Sequence, residues 1–566
     1  MKGECSTDNK YGYYLNSKNS RKLVKCDDTG CAEEKQNSNL GYYLDGTAVT
    51  DSDTKKLIRC TSTGCTYYTN SIPGFYLNAA YPTDTKNLIK CTQEKCRNYV
   101  VNSSGFYLSS EYSSRLVKCD DNGCAVESNT SNYGYYLNAE AITDTQSKKL
   151  IQCTSDKGCS SVNESSNPSV GYIDASDNTK VIICTSSGCA SNSGNTIPGS
   201  GYIDATDSKK IITCNNSNGT CTSNTGNMNA GGGYVYGADN KKIITCTSNG
   251  CTSTNVIDAG DIIHYYLNLG SDMEFNKLIE CSTTTGCSTK EALDKDGYYI
   301  YVGGSNTSIN SLIHCTNKSN CEGPSTITVS SNDYKYYLNN GYDKKTKPLI
   351  ECTSNGCSIT AAATTEGYYL CGEAAGLSRA LIQCTNSSNC KDPMTISFPA
   401  SYSSSINYYL NNGGDKGSKR IIQCTTSGCT TNSASVGNYL SAGIIINCSK
   451  ANTCSVIGKA KGYYKNSATY VSKKSKALIK CEVDNSCAEI DGTNGYYING
   501  AVLDSFTNAL IQCSDNGCTE VTGVEDLYLE NNGKTSFSLD ALILCKNNQC
   551  ISTPGELGIV NKIEFF

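Results

Sequence analysis

The chain has 566 residues, with 36 cysteines, 40 tyrosines and 51 glycines, but only 2 histidines and no tryptophan. Its 48 lysines and arginines against 53 aspartates and glutamates give a net charge of −5, which offers no general attraction to nucleic acid or anionic lipid. Two histidines are too few for most metal-dependent or triad-based hydrolysis, so only carboxylate-based catalysis stays open, and we predict a chain that is not an enzyme and holds no cofactor.

The cysteine content is typical of an oxidised framework, because thiols in such numbers stay unpaired only in reducing compartments. We therefore expect a secreted or extracellular protein. The first residues, Met1 to Cys5, lack the apolar run of a secretion signal, and no stretch approaches 18 apolar residues. We interpret the sequence as a fragment whose signal, and any cell-surface anchor, lies outside it. Sequons in polar stretches agree with a glycoprotein; they are Asn102, Asn129, Asn163, Asn215, Asn218, Asn306, Asn317, Asn386 and Asn447.

A single unit recurs along the chain. It starts Gly-Tyr-Tyr-Leu-Asn, passes through a polar stretch, continues Leu-Ile-polar-Cys and closes with four to six residues and a second cysteine. Seventeen such repeats, numbered 1 to 17 from the N-terminus, follow one another with a period of about 32 residues. Their cysteine pairs, in order, are Cys26 and Cys31, Cys60 and Cys65, Cys91 and Cys96, Cys119 and Cys124, Cys153 and Cys159, Cys184 and Cys189, Cys214 and Cys221, Cys246 and Cys251, Cys281 and Cys287, Cys315 and Cys321, Cys352 and Cys357, Cys384 and Cys390, Cys424 and Cys429, Cys448 and Cys454, Cys481 and Cys487, Cys513 and Cys518, and Cys545 and Cys550.

These pairs account for 34 of the 36 cysteines. Cys5 stands where the second cysteine of a preceding repeat would stand, so we expect the chain to begin inside a repeat. Cys371 replaces the asparagine of the motif, either as a drifted position or as a thiol outside any disulfide or between chains. The predicted organisation is the end of a truncated repeat at 1–11, an array of seventeen repeats at 12–550, and a tail or the start of a further repeat at 551–566.

Each repeat is predicted to be β. Tyr-Tyr-Leu and Leu-Ile are short strand formers, clusters of Gly, Asn, Asp, Ser and Thr bound them, and no helical apolar period persists. We expect an all-β, elongated, solenoid-like tandem array of short β-hairpins. In Leu-Ile-x-Cys the x residue is nearly always polar and is predicted to face water, which puts the preceding Ile or Val and the cysteine on the inner face; examples are Lys25, Arg59, Lys90, Lys118, Gln152, Thr213, Glu280, His314, Glu351, Gln383 and Asn447.

The residue just before the second cysteine predicts a tight hairpin turn. It is a residue that tolerates positive φ in twelve repeats: Gly30, Gly64, Gly123, Gly158, Gly188, Gly250, Gly286, Gly356, Gly428, Gly517, Asn320 and Asn389. The two cysteines then face each other across the hairpin at about 4.5 to 5.5 Å between Cα atoms, which suits a disulfide. We therefore pair each cysteine with its near neighbour, and favour this over a metal site because the further ligands that zinc needs do not recur.

Bridges within a repeat do not join one repeat to the next. A disulfide that closes about six residues contributes roughly 2 kcal/mol, and cohesion along the array is expected to come from stacked apolar faces.

The second tyrosine of the motif is never phenylalanine, whereas the first is exchanged for Phe75, Phe106, Asn438 and Leu527. Two interpretations of the second hydroxyl stay open: it bonds to a backbone group of the next repeat, or the rings form an outward ladder for a partner. The short repeats at Gly171, Gly201 and Gly233 are interpreted as lacking this tyrosine and should then not bind. The partner-binding candidates are Tyr14, Tyr43, Tyr76, Tyr107, Tyr136, Tyr266, Tyr299, Tyr337, Tyr369, Tyr409, Tyr439, Tyr464, Tyr497 and Tyr528.

Neither histidine predicts catalysis. His264 stands at the glycine position of its repeat and His314 at the variable position before Cys315, as expected of drift between repeats. Carboxylates cluster in turns, as at Asp27, Asp28 and Asp45, without the regular ligand spacing of an EF-hand or a nonapeptide repeat. Calcium in these turns stays an alternative.

The recurring units, as in Gly134 to Cys159 and Gly367 to Cys390, resemble the Cys-rich repeats of the large scaffoldins of anaerobic gut fungi. The resemblance covers nearly the whole chain. It implies a non-catalytic, secreted scaffold of a cellulosome, whose repeats receive the dockerin domains of enzymes that degrade plant polysaccharides. The three short repeats and the compressed repeat at Gly437 to Cys454 depart from the pattern.

Two functions of other classes stay open. Aromatic-rich β repeats also suit the binding of cell-wall glycans, and a repeat array also suits a structural spacer or adhesin on a cell surface. The sequence leaves undecided which repeats bind, how many form one site, and how stiff the array is.

Overall fold

A computed structural model describes residues 11–35, 37–46, 57–69, 71–127, 133–143, 148–167, 169–256, 263–303, 310–372, 380–398, 406–441, 443–457, 461–468, 471–482, 487–502, 505–533 and 542–554. Structural statements below concern these residues. Cys5 and the sequons at Asn129 and Asn306 lie outside them.

Each repeat is an antiparallel meander of three strands, with the second strand in the middle. The first strands are Gly12–Leu15, Gly41–Leu44, Gly74–Leu77, Gly105–Leu108, Gly134–Leu137, Val170–Ile173, Ser200–Asp204, Gly232–Tyr236, His264–Asn268, Gly297–Tyr301, Lys335–Leu338, Gly367–Leu370, Asn407–Leu410, Gly437–Ser441, Gly462–Lys465, Gly495–Ile498 and Tyr528–Glu530. The second strands are Leu23–Asp27, Leu57–Thr61, Asn87–Cys91, Leu116–Asp120, Leu150–Thr154, Lys180–Thr185, Lys210–Cys214, Lys242–Thr247, Leu278–Ser282, Ser311–Asn317, Leu349–Thr353, Ala380–Asn386, Ile421–Thr425, Ile444–Lys450, Leu478–Cys481, Leu510–Ser514 and Leu542–Lys546. The third strands are Gly30–Glu33, Gly64–Tyr68, Cys96–Val100, Gly123–Val126, Gly158–Val162, Gly188–Ser193, Cys221–Thr225, Gly250–Asn255, Gly286–Lys290, Asn320–Thr326, Gly356–Thr360, Asn389–Cys390 with Met394–Thr395, Gly428–Asn432, Thr453–Ile457, Cys487–Ile490, Gly517–Val521 and Gln549–Thr553.

Seventeen disulfides lie in the described part of the chain, and each joins the two cysteines that the sequence pairs. In repeat 2, Cys60 lies directly opposite Cys65 in the ladder. Their Cα atoms are 3.9 Å apart, closer than predicted. The amide of Cys65 donates to the carbonyl of Ser20 in repeat 1, at 2.6 Å, so this is a non-hydrogen-bonded pair, which is the closer kind.

The glycine before the second cysteine has two roles. All ten predicted glycines have positive φ. Asn320 and Asn389 do not, so the prediction of positive φ is wrong for these two residues. In repeat 5 a Cβ on Gly158 would lie 2.4 Å from the carbonyl oxygen of Ser113 in the preceding repeat. The same position therefore lets the hairpin turn and lets it approach the neighbouring backbone.

Successive sheets pack face to face. In the core between repeats 3 and 4, Phe75 and Leu88 of repeat 3 contact Tyr107, Val117 and the disulfide of repeat 4. The first tyrosine and the leucine of Leu-Ile thus face the next repeat, whereas the second tyrosine, the isoleucine and the disulfide face the preceding one. The sequence predicted one inner face, but both faces are covered, which explains why two adjacent apolar residues stand before each x-Cys.

Backbone hydrogen bonds also join consecutive repeats. The amide of Ala79, just after the asparagine position of repeat 3, donates to the carbonyl of Tyr42 in repeat 2 at 2.8 Å. The equivalent bond occurs between thirteen pairs of repeats in the described part of the chain. Stacking of apolar faces, the predicted source of cohesion, is thus supplemented by a backbone bond of fixed register.

In repeats 6 to 9 the first strands approach closely enough to pair in parallel, and the strands of these four repeats form one sheet of twelve strands.

The described residues group into two compact units, one within Met1–Asp261 and Tyr266–Glu291 and the other within Ile262–Tyr265 and Ala292–Phe566. A one-turn α-helix occupies Glu140–Thr143. In the part of the chain that the structure describes, no helix is both long and apolar enough to span a membrane.

Candidate binding surface

The second-position tyrosines, the predicted partner-binding residues, form the core of the array. Twelve of the fourteen are at most 6% exposed, and only Tyr14 and Tyr528 are half-buried. The interpretation of these rings as outward platforms is wrong for the twelve, because each ring lies between two stacked sheets. The twelve buried second-position tyrosines are Tyr43, Tyr76, Tyr107, Tyr136, Tyr266, Tyr299, Tyr337, Tyr369, Tyr409, Tyr439, Tyr464 and Tyr497.

Ten of these rings contact the first-position ring of the preceding repeat, and Tyr172 of repeat 6 makes the same contact. Tyr266 and Tyr464 do not, because the repeats before them have glycine or asparagine at the first position. Eleven such pairs have centroids 4.6–5.2 Å apart, in tilted or edge-to-face arrangements such as Tyr42 with Tyr76 and Phe75 with Tyr107. Aromatic pairs of this geometry add about 0.5–1.5 kcal/mol beyond the area they bury. The tyrosine ladder is therefore an internal spine that holds one repeat against the next.

As one interpretation predicted, the hydroxyl of the second tyrosine bonds to backbone. The partner lies mostly in the segment just before its own first strand, and not in the next repeat as that interpretation had it. The Tyr107 hydroxyl donates to the carbonyl of Ser103 at 2.8 Å, and the Tyr369 hydroxyl accepts from the amide of Ala363 at 2.6 Å. The Tyr337 hydroxyl does reach the next repeat, at the carbonyl of Gly372. These bonds fix the segment that leads into each first strand, which explains why phenylalanine does not occur at this position.

Strand register corrects the predicted alignment of four repeats. In repeats 6 to 8, Tyr172, Tyr202 and Tyr234 lie opposite the isoleucine two residues before the cysteine, as every second tyrosine does. The short repeats therefore keep the second tyrosine and have glycine at the first position. In repeat 17, Leu529 occupies the second position and Tyr528 the first. A slip of one residue in an alignment exchanges the two faces of a strand.

Three first-position tyrosines extend across two repeats. The Tyr265 hydroxyl accepts from the amide of Tyr342, 2.8 Å away, and the Tyr336 hydroxyl accepts from the amide of Gly414 at 2.6 Å. The Tyr463 hydroxyl donates to the carbonyl of Gly533 at 2.9 Å. Because phenylalanine occurs at this position in other repeats, the sequence predicts that the first-position hydroxyl is dispensable. In repeats 9, 11 and 15, however, this hydroxyl bonds to the second repeat after its own.

Burial of this spine predicts a loss of stability at alkaline pH. Burial raises the pKa of Tyr42, Tyr136 and Tyr409 to about 12, whereas an unfolded tyrosine has a pKa of about 10. The folded chain therefore binds these protons more tightly, and the contribution of these tyrosines to stability is constant below about pH 10 and is lost as the pH rises towards about 12. Tyrosinate absorbance and circular dichroism, recorded together, should show late ionisation that coincides with unfolding; complete ionisation near pH 10 in a folded chain would contradict this.

With the spine buried, the exposed large side chains lie elsewhere. Several protrude from the crossing loop, by which we mean the segment between the first and second strands of a repeat. They are Tyr81, Tyr112, Ile142 and Phe275 in one unit and Tyr342 in the other. Phe275 is 77% exposed and Tyr342 is 75% exposed.

The loop that carries Tyr342 is held rigidly. The Asn339 side-chain amide donates to Asp343 Oδ1 at 2.9 Å and to the Lys347 carbonyl at 2.8 Å, and the Gly341 amide donates to Asn339 Oδ1. The asparagine of the motif thus closes the loop from inside while the tyrosine ring projects into solvent. An exposed aromatic ring on a preorganised loop loses little conformational entropy when a partner binds it.

The equivalent asparagine makes the same bonds in repeats 9 and 13. Asn268 bonds to Asp272 at 2.7 Å, and Asn411 bonds to Asp415 at 2.8 Å. In the sequence this asparagine is recognisable only as part of the motif, and its role in closing the loop is not. The signal that could have identified it is the aspartate four residues later, which recurs in repeats 9, 11 and 13.

Both histidines lie within the array as variants of repeat positions. His264 is buried at the start of its first strand. The ring of His314 stacks on Tyr298 at 4.4 Å, and its Nε2 is 2.6 Å from Asp296 Oδ1.

Cys371 is buried at the asparagine position, outside the seventeen disulfides, and its amide donates to the carbonyl of Ala380. No three His, Cys, Asp or Glu side chains among the described residues lie close enough together to hold a metal ion.

Comparison with known proteins gives no family for this chain: no family model matches it, and no curated protein is significantly similar to it.

Proposed function

We propose that this chain is a non-catalytic extracellular scaffold whose repeats bind the dockerin domains of enzymes that degrade plant polysaccharides. The observation that carries the proposal is the recurrence, in equivalent loops of stacked repeats, of large apolar side chains that make no part of the core. A disulfide in each of the seventeen repeats is compatible with an extracellular location.

The arrangement suits multivalent binding. Backbone bonds and stacked rings hold consecutive repeats in a fixed register within each unit, so the crossing loops follow one another along the stack. Large exposed aromatic side chains cost solubility and are typical of contact hot spots. A modest interface at each loop suffices, because enzymes tethered near one surface gain effective concentration without stronger individual contacts.

Replacing the protruding loop residues by alanine should reduce the number of dockerin domains that one chain binds. The variant carries Tyr81→Ala, Tyr112→Ala, Ile142→Ala, Phe275→Ala and Tyr342→Ala. We expect isothermal titration of an isolated dockerin domain into the intact chain to give more than one site, and the variant to lose up to one site per altered loop.

The matched control changes exposed apolar residues of third strands instead of crossing loops: Tyr67→Ala, Val100→Ala and Val456→Ala, at 51%, 57% and 40% exposure. Its stoichiometry should equal that of the natural chain. Equal stoichiometry in all three proteins would overturn the loop assignment. Retention on insoluble polysaccharide without dockerin binding would favour the glycan-binding alternative, and retention on neither would favour a spacer.

A further inference from the structure

A pocket of about 420 Å³ lies across repeats 1 to 3. Its walls include Tyr11 and Tyr13 from the first strand and the residue before it, Asp27 and Asp28 from the hairpin of repeat 1, and Tyr81 from the crossing loop of repeat 3. The volume is within the range of small-molecule sites, about 300–1,000 Å³. The pocket is separate from the core, because Tyr11 is 57% exposed and Tyr81 is 41% exposed.

The ring of Tyr13 and the loop that carries Tyr81 are held in place. Tyr13 packs on the buried ring of Tyr43, with centroids 4.9 Å apart. The loop of Tyr81 is closed by the side chain of Asn78, which accepts from the amide of Ala80 at 3.1 Å and donates to Asn98 Oδ1 at 3.0 Å. The amide of Tyr81 also donates to the Asn78 carbonyl. The Tyr13 ring and the backbone that carries Tyr81 therefore do not have to be ordered when a ligand binds.

The polar groups on the walls are of both signs. Asp27 accepts from the amide of Thr29 at 3.0 Å, and the hydrogen bonds from Thr29 hold the pKa of Asp27 below its usual range, so the carboxylate is ionised at neutral pH. Asp28 lies beside it and is exposed, and Lys25 also lines the pocket. Two carboxylates disfavour an anionic ligand, and charged walls disfavour a purely apolar one.

We infer that this pocket binds a short, neutral oligosaccharide of equatorially linked pyranose units. The C–H faces of such sugars are flat and weakly positive, so they stack on the negative faces of tyrosine rings. Sugar hydroxyls donate to the carboxylates of Asp27 and Asp28 and accept from the ammonium of Lys25. The site goes beyond dockerin binding, because it would attach the array to glycan. It lies in repeats 1 to 3, and the crossing loops of later repeats do not line it.

Tyr112 provides a matched control. It stands at the same place in the crossing loop of repeat 4 as Tyr81 does in repeat 3, three residues after the asparagine position, and is 42% exposed. It does not line the pocket, and the guanidinium of Arg115 covers its ring at 4.6 Å. A change at Tyr112 thus removes an equal amount of exposed aromatic surface outside the site.

The test is isothermal titration of cellohexaose, xylohexaose and mannohexaose into the intact chain and its variants. We expect at least one of the three to bind, Tyr81→Ala to weaken that binding tenfold or more, Tyr81→Phe to retain most of it, and Tyr112→Ala to leave it unchanged. Asp28→Asn should weaken binding without removing it. Circular dichroism confirms that each variant is folded.

Absence of binding of all three oligosaccharides at millimolar concentration would overturn the inference. Equal loss in Tyr81→Ala and Tyr112→Ala would also overturn it, because the effect would then not come from the pocket. Equal loss in Tyr81→Phe and Tyr81→Ala would refute stacking as the source of affinity. Dockerin binding is measured separately, so failure here leaves the scaffold proposal intact, and failure of the scaffold proposal leaves this site intact.

Discussion

Replacing Tyr107 by alanine is expected to destabilise repeats 3 to 5 by about 3–5 kcal/mol, the range for loss of a large buried aromatic side chain. The ring of Tyr107 is fully buried, lies 5.0 Å from that of Phe75, and packs in the core that contains the disulfide of repeat 4. Hydrogen exchange with mass spectrometry on the intact chain should show the loss as exchange that is about 10²- to 10⁴-fold faster in peptides from these repeats.

The effect should be local, because repeats contact their neighbours and, through some side chains, the second repeat along. Peptides from repeats 12 to 17 should keep their protection. The matched variant, Tyr107→Phe, keeps the ring and removes only the hydrogen bond to Ser103, so it should cost about 0.5–1.5 kcal/mol. Uniform loss of protection along the whole chain would show that the array unfolds as one unit, contrary to the stacking of separate sheets.

Strands, hairpin turns and cysteine pairing could be predicted because they depend on residues that are close in sequence. In ten repeats the residue before the second cysteine is a glycine with positive φ, and glycine at that position is visible without any structure. The same spacing places the two cysteines opposite each other. The repeat itself added information, because seventeen copies show which positions vary.

The direction of the tyrosines could not be predicted from the same variation. An invariant hydroxyl is expected both for a buried ring that satisfies a backbone group and for a ring that contacts a partner. Deciding between them requires the stacking of sheets, which covers both faces of each strand. The adjacent apolar residues of Leu-Ile indicated this, since a strand with one buried face would alternate apolar and polar residues there.

Contacts between a repeat and the second repeat after it were outside the reach of the sequence. They depend on crossing loops of different lengths, and nothing local indicates that the Tyr265 hydroxyl bonds to the amide of Tyr342. The exposed loop residues were missed for the same reason. The residue at the tip of the loop differs from repeat to repeat, so comparing the repeats for constant positions does not reveal it.

Lys90 shows how such a contact changes the role of a position. It is the x residue of repeat 3 and was predicted to face water, but it is 8% exposed and its ammonium pairs with the carboxylate of Glu140 in repeat 5. The side chains of the pair are 10% and 14% exposed. Glu140 is also the first residue of the one-turn helix, so the pair attaches that helix across the intervening repeat 4.

Lys90→Met is therefore expected to cost about 3 kcal/mol, because it removes the ammonium that pairs with the largely buried Glu140 carboxylate. Glu140→Leu should cost a similar amount, for the converse reason. The double variant should lie within about 1 kcal/mol of the natural chain, since a buried ion pair and an apolar pair of similar volume are often close in stability. Hydrogen exchange of peptides from repeats 3 to 5, measured for all four proteins, gives the double-mutant cycle. Additive single costs would show that the two side chains do not interact, whereas the geometry predicts strong coupling.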